Sequence, residues 1–169
     1  EYSDFQCPFC KKGADTLNTI YEKYKNDIYI TFSNLPLSSI HPYALPAAKA
    51  AEAAGYQGKF WEMHDLLFAN QNNLTPADLN TYAKKLGLDI DKFDSYMSNT
   101  NIADKIAKQV KDVEGKEFDE IALDEKGNIR QKGKAKIEGT PAFLINGKLI
   151  VGAYPAESFE KIILAELKK

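Results

Sequence analysis

Cys7 and Cys10 are the only cysteines among the 169 residues, and they stand three apart in Cys7-Pro8-Phe9-Cys10, close to the start of the sequence. A solitary C-x-x-C pair beside a βαβ pattern is the spacing of a dithiol that trades disulfides with other thiols. Cys7 follows an extended stretch, Tyr2-Ser3-Asp4-Phe5-Gln6, and Pro8 suits the first position of a helix, where no backbone donor is required. From Cys10 onward Ala14, Leu17, Tyr21 and Tyr24 recur at helical spacing. Cys10 then heads the buried face, and Cys7 sits exposed at the cap with its sulfur over the helix N-terminus. Unpaired amides and the positive end of the helix dipole favour an anion there and lower the thiolate pKa of Cys7. Residues three apart share a side of a helix, so the two sulfurs can close a disulfide with little backbone movement.

Two other readings exist for such a pair. Half of a zinc site would need two more ligands, and only His41 and His64 are on offer, without paired-ligand spacing. A purely structural bridge closing so short a loop would remove little chain entropy and would staple a domain of this size poorly.

The elements that must position the pair follow from periodicity. Ile28, Ile30 and Phe32 alternate with Tyr29 and Thr31, which predicts a strand after the first helix and a right-handed β-α-β unit. Residues of about 38–114 then read as helices. Ala47 to Ala54 closes at Gly55, and Phe60, Met63 and Leu67 mark a second, with Trp61 and Met63 read as core rather than as a groove. Thr75-Pro76-Ala77-Asp78 opens a third, closed by Gly87. Phe93, Tyr96 and Met97 lie in a fourth, and Ile102, Ile106, Val110 and Val113 in a fifth that stops near Gly115. Phe143-Leu144-Ile145, Asn146-Gly147 and Leu149-Ile150-Val151 form a hairpin signal with a type I′ turn. Pro155 opens a last helix with Phe159, Ile162, Ile163 and Leu167 on one face.

Composition sets the limits. The length suits one domain, residues 1–169, and 44% hydrophobic with 27% charged residues is ordinary for a chain that buries a core. The net charge is −2 and the lysines are dispersed, so there is no electrostatic case for nucleic acid or an anionic membrane. The chain opens inside a strand, so any export signal or lipid anchor is expected upstream of residue 1.

Three stretches resemble the DsbA-like thioredoxin family: Glu1-Tyr2-Ser3-Asp4-Phe5-Gln6-Cys7-Pro8-Phe9-Cys10, Gly58-Lys59-Phe60-Trp61-Glu62-Met63-His64, and Gly139-Thr140-Pro141-Ala142-Phe143-Leu144-Ile145-Asn146-Gly147. The resemblance runs over nearly the full length. It implies an α/β thioredoxin fold with a helical insertion between N-terminal β-α-β and C-terminal β-β-α parts. It implies Cys7 as nucleophile, Cys10 as resolving thiol and Pro141 as a cis-proline that turns the Thr140 backbone toward the cysteines. There Thr140 and Pro141, with Pro8 and Phe9, would meet an extended substrate segment. An ordinary turn is the alternative for Thr140-Pro141. Glu1 stands six residues before Cys7, where family members keep a buried acid that exchanges a proton with the resolving thiol. The alternative is a charged chain end in water.

The sequence departs from the family twice. The most oxidising relatives carry histidine where this chain has Phe9, and a phenyl ring cannot stabilise the Cys7 thiolate as an imidazolium would. Residues of about 116–136 add a hairpin or extended loop, read as solvated surface. The expected activity is protein thiol–disulfide exchange through Cys7–Cys10, introducing disulfides into exported proteins, with a reductase or a non-catalytic holdase as alternatives. No metal or organic cofactor is implied. Expected partners are reduced or misoxidised protein clients and a membrane protein that reoxidises or reduces the pair. The expected location is periplasmic, or the outer face of the cytoplasmic membrane.

Overall fold

The computed structural model describes residues 1–124 and 128–168. The elements run β1 (Tyr2–Ser3), α1 (Pro8–Tyr24), β2 (Ser33–Asn34), α2 (Ala44–Gly55), α3 (Phe60–Ala69), α4 (Pro76–Lys85), α5 (Ile90–Met97) and α6 (Thr100–Lys111). Then follow β3 (Glu117–Leu123), β4 (Ile129–Lys136), β5 (Ala142–Ile145), β6 (Lys148–Val151) and α7 (Ala156–Leu167). One sheet takes the order β2-β1-β5-β6-β3-β4, with β1 parallel to β2 and antiparallel to β5. This is the thioredoxin-like α/β fold that the sequence leads one to expect, with five helices between β2 and β3.

The second strand is shorter than expected. Residues Ile28–Phe32 keep their alternation, with Ile28, Ile30 and Phe32 half-buried and Tyr29 and Thr31 exposed, but the ladder is confined to Ser33–Asn34. A strand exists only through its partner. Here the ladder pairs Tyr2 with Ser33 and Ser3 with Asn34, and Ser33 N donates to Glu1 O at 2.7 Å and Glu1 N to Thr31 O at 2.8 Å.

Along α1 the buried line runs Cys10, Gly13, Ala14 and Ile20, with Leu17 and Tyr24 partly covered. Tyr21, placed on that face by the sequence, is exposed, as is Leu167 of α7. α1 serves two cores. Its Cys10 and Ala14 pack with Phe5 and the inserted helices, whereas Ile20 packs with Phe143, Ile150, Phe159, Ile162 and Ile163.

The insertion is seated by α2, whose alanines at 44, 47, 48, 50, 51, 53 and 54 are all buried, so most of the helix lies inside the core. Glu52 is buried with them and accepts from Asn34 Nδ2 at 2.8 Å and Lys105 Nζ at 2.5 Å, which ties β2 to α2 and α6. α2 passes through Gly55 as its last helical residue, and the left-handed residue is Gly58, φ 75°. Thr75 and Asp78 form a reciprocal capping box at α4. Met63 is fully buried, whereas Trp61 stands 45% exposed and is not core.

Within residues 116–136, β3 and β4 are built into the sheet. β3 pairs antiparallel with β4 and parallel with β6 through Asp119↔Lys148 and Glu120↔Leu149, and it buries Ile121 in the second core. The expected turn Asp124-Glu125-Lys126-Gly127-Asn128 falls partly on 125–127, outside the described residues. β4 is an edge strand whose exposed lysines 132, 134 and 136 discourage pairing with another chain. Asn146 (φ 48°) and Gly147 (φ 83°) make the β5–β6 turn with both central residues left-handed, as type I′ requires.

Candidate active site

Cys7 is the N-cap of α1, in extended conformation, with Pro8 following in the first turn. Its carbonyl accepts from the amides of Cys10 (3.1 Å) and Lys11 (3.3 Å), which aims the head of α1 at the sulfur. The Cys7 thiol donates to the Thr140 carbonyl at 3.6 Å, and the Thr140–Pro141 peptide is cis. Both cysteines are free thiols. The resolving candidate, Cys10, is wholly buried and accepts from Asp4 N at 3.4 Å.

Cys7 differs from expectation. It is 5% exposed rather than open at the cap, because the Thr140 loop and the residues around Gln71 close over it. Pro8 and Phe9 are the exposed members of the motif, and Phe9 is 59% exposed with Lys12 Nζ 5.5 Å from its ring centre. The motif therefore offers its neighbours an apolar ring beside a nearly covered sulfur.

Gly13 permits the approach of the two halves of the site. A β-carbon there would come within 3.0 Å of Phe143 Cζ and 3.5 Å of Pro141, so a larger residue would push α1 off the Thr140-Pro141 turn.

Three further groups hold the loop, none of them given this role by the sequence. The buried Asp4 carboxylate accepts from the amides of Gln6 and Leu37, each at 2.8 Å, and lies 2.8 Å from His41 Nδ1. Its backbone also engages both cysteines, the amide bonding Cys10 and the carbonyl accepting from Cys7 N at 3.1 Å. Gln71, in the α3–α4 connection, donates from Nε2 to the carbonyls of Phe5 (2.8 Å) and Cys7 (2.9 Å). An acid three residues ahead of a redox cysteine is a local signal for Asp4. Gln71 and His41 meet the loop only through the fold, and nothing local points to them.

The electrostatics separate the two thiols. A hydrogen bond from the Cys10 thiol lowers Cys7 most; the amides of Cys10 and Phe9 and the Thr140 side chain add to it, and together they outweigh burial to bring Cys7 to about 5. Burial, and the bond it gives to Cys7, push Cys10 far above an ordinary thiol. The charge thus settles on Cys7 and the proton on Cys10. Glu1 is not a chain end in water: its Oε1 is buried without a partner, and burial raises its carboxyl above the usual range. The two histidines each lie beside a carboxylate, His41 at Asp4 and His64 at Asp65.

A model of the thioredoxin family matches residues 1–165. The chain is 39% identical over 163 residues to the Na+/H+ antiporter NhaA 1 of Salinispora arenicola, a match that takes in 96% of this chain and 22% of that protein. The chain thus spans about a fifth of the curated relatives it matches. Among solved structures it superposes on a thioredoxin-like oxidoreductase from Silicibacter pomeroyi with a TM-score of 0.78 at 19% identity, covering 100% of this chain and 85% of that one. The thiol-disulfide exchange protein alpha-DsbA2 of Wolbachia pipientis gives 0.77 at 19% identity, over 98% and 78% of the two chains. With its inserted helices, its dithiol at the head of α1 and the family match from end to end, this chain belongs to the thioredoxin family and has the DsbA-like version of its fold.

Proposed function

We propose that this protein is a thiol–disulfide oxidoreductase of other proteins, acting outside the cytoplasm as a dithiol oxidase. The observation that carries the reading is the division of labour between the sulfurs: Cys7 lowered to about 5, Cys10 buried with its proton. A client thiolate attacks Cys7 Sγ of the oxidised pair, the Cys7–Cys10 bond breaks, and Cys10 leaves with the electron pair and takes up a proton. The client's second thiolate then attacks the client sulfur of the mixed disulfide, and Cys7 leaves as a stabilised thiolate. The client departs oxidised and the protein reduced by two electrons. The dithiol itself carries them, so a membrane partner must take them on.

Direction follows from the leaving group. A thiolate stabilised in the reduced protein makes the disulfide the stronger oxidant. Such a pair is useful where the thiol pool is not strongly reducing, which supports the extracytoplasmic location. Thr140, beside Cys7, is the place for an extended client segment to pair with the backbone, and Phe9 supplies an apolar contact.

The deciding measurement is the reduction potential of Cys7–Cys10, by equilibration with glutathione and thiol trapping. The expected value lies between ~−120 mV for DsbA and ~−270 mV for thioredoxin, nearer the first. A value at the thioredoxin end overturns the oxidase direction and makes the protein a reductase. Cys7→Ser should abolish exchange; an activity that survives it belongs to a holdase.

A further inference from the structure

Asp4 stands where β1 stops, and its main chain is turned to the cysteines rather than to the sheet. Ser3 still pairs with Asn34, and its carbonyl accepts from Leu35 N at 2.9 Å. One residue later the Asp4 carbonyl accepts from Cys7 N at 3.1 Å, and the Asp4 amide donates to Cys10 Sγ at 3.4 Å. A buried amide must find an acceptor, and sulfur is a weak one, so this pairing calls for a reason. The side chain fixes where that amide points. Its carboxylate is wholly buried: Oδ1 accepts from Gln6 N and Oδ2 from Leu37 N, each at 2.8 Å, and His41 Nδ1 lies 2.8 Å from Oδ2. Facing a carboxylate, Nδ1 is the ring nitrogen that carries the hydrogen. The amides of Ile40 and His41 both bond back to Leu37 O, so Leu37 and His41 reach Asp4 from one tight turn. Donors from two segments thus lock the residue against rotation. A mere staple for the loop would use the carboxylate and would not need the N–H to face a sulfur.

The sulfur it faces is the one that must pass through a charged state away from solvent. Cys10 is 0% exposed and lies in the core that α1 shares with the inserted helices, beside Phe5 and Ala14. In the oxidised protein Cys10 is bonded to Cys7, and in the reduced protein it is a thiol. It carries charge only while the S–S bond opens or closes. Burial pushes the Cys10 thiol up, and the Asp4 amide is among the groups that oppose that rise. A fixed donor aimed at the atom where charge develops lowers the barrier without having to reorganise, and counts for most where water is excluded.

We propose that the Asp4 amide is a catalytic donor to Cys10, and that the Asp4 carboxylate and His41 are positioning residues that aim it. When a client thiolate attacks Cys7 Sγ, the Cys7–Cys10 bond breaks and its electron pair moves to Cys10 Sγ. The Asp4 N–H holds that charge until Cys10 is protonated, which takes up the proton the client thiol released on ionising. In the reverse step Cys10 gives up its proton and attacks Cys7 of the mixed disulfide, with the same N–H on its sulfur. The amide therefore lowers one barrier from both sides. It leaves the balance between the resting states alone, because Cys10 is uncharged in each of them.

The inference rests on the oxidoreductase reading, and one experiment separates the two. Two rates are measured on the full chain: opening of the Cys7–Cys10 disulfide by glutathione, and closing of the Cys7–glutathione mixed disulfide by Cys10. The reduction potential and the thiolate titration of Cys7 are read beside them. The direct variant carries an ester in place of the Ser3–Asp4 amide, made by ligating a synthetic segment 1–6 to residues 7–169 at Cys7. It removes the N–H and keeps every side chain. Both rates should fall by about tenfold, as for loss of a hydrogen bond to a charged atom, while the potential and the Cys7 titration stay in place. His41→Phe, a ring without a donor, should slow both by roughly threefold, and His41→Asn, which returns a donor near Nδ1, should recover most of that loss. The His41 side chain lies in a loop and is 18% exposed, so these variants cover a failure of the ester protein to fold. Unchanged rates in the folded variants overturn the proposal. So do changes matched by a shift in potential, because the amide would then act on the resting Cys7 thiolate. If the unsubstituted protein neither opens nor closes the pair with glutathione, the oxidoreductase reading falls instead.

Discussion

The Cys7 thiolate draws its stabilisation from Cys10 and from the first amides of α1, while the side chain next to it, Phe9, has nothing to donate. Because Phe9 is exposed beside the motif, it is the position where a single substitution reaches the redox chemistry without touching the core. Phe9→His should raise the reduction potential by on the order of 30 mV, equivalent to about 1.4 kcal/mol, through a new imidazolium–thiolate contact; glutathione equilibration checks it. Asp4 has the opposite character. It is buried and serves two amides and His41, so Asp4→Ala leaves donors stranded in the interior. The expected loss is about 3 kcal/mol of stability, read from urea unfolding, with a smaller loss for Asp4→Asn, which keeps one acceptor oxygen. These residues divide by how their role is encoded. The C-x-x-C pair is legible because its chemistry depends on spacing within one turn of helix. The Asp4–His41 contact and the Gln71 clamp join positions 37 and 64 residues apart, so only the fold brings them together.

α1 meets the Thr140-Pro141 turn closely enough that Gly13 is the one residue of its buried line with no room for a side chain. Gly13→Val should cost roughly 1–3 kcal/mol by overpacking against Phe143, and should slow exchange at Cys7 because α1 and the turn part together. Thermal unfolding and the alkylation rate of Cys7 measure the two effects. Other elements show where periodicity informs and where it does not. The alternation at Ile28–Phe32 correctly gives which side chains turn inward, since that follows from an extended backbone; whether a ladder forms depends on β1, far off in sequence. Likewise Gly55 looks like a helix stop, yet it is the last residue of α2, with Tyr56 as its cap and the left-handed residue at Gly58; a β-carbon at Gly55 would come within 3.3 Å of Phe60 Cβ, so the site keeps a glycine for packing rather than for its turn. Charged residues along β4 make the β3–β4 segment read as solvated surface. Its inner strand is nevertheless anchored by Ile121 and by pairing with β6, a contact that charge patterning does not report.

At the scale of the whole molecule, redox state and stability are one quantity seen from two sides, because the Cys7 thiolate exists only in the reduced protein. Its pKa falls from 9.0 to about 5 on folding. A depressed acid stabilises the fold fully above its unfolded pKa, and that contribution is lost as pH falls through the folded value. The reduced form should therefore gain on the oxidised form as pH rises from about 5 to 9, by at most about 1.4 kcal/mol per pH unit. Cys10, pushed upward, begins to subtract only where an unfolded thiol would ionise, above 9.0. Urea unfolding of the oxidised and reduced proteins across this range, with Cys7→Ser as reference, should show a widening gap for the native pair and a flat line for the variant. Two parallel curves would place the thiolate outside the folding balance, and the disulfide would then lose the source of its oxidising strength.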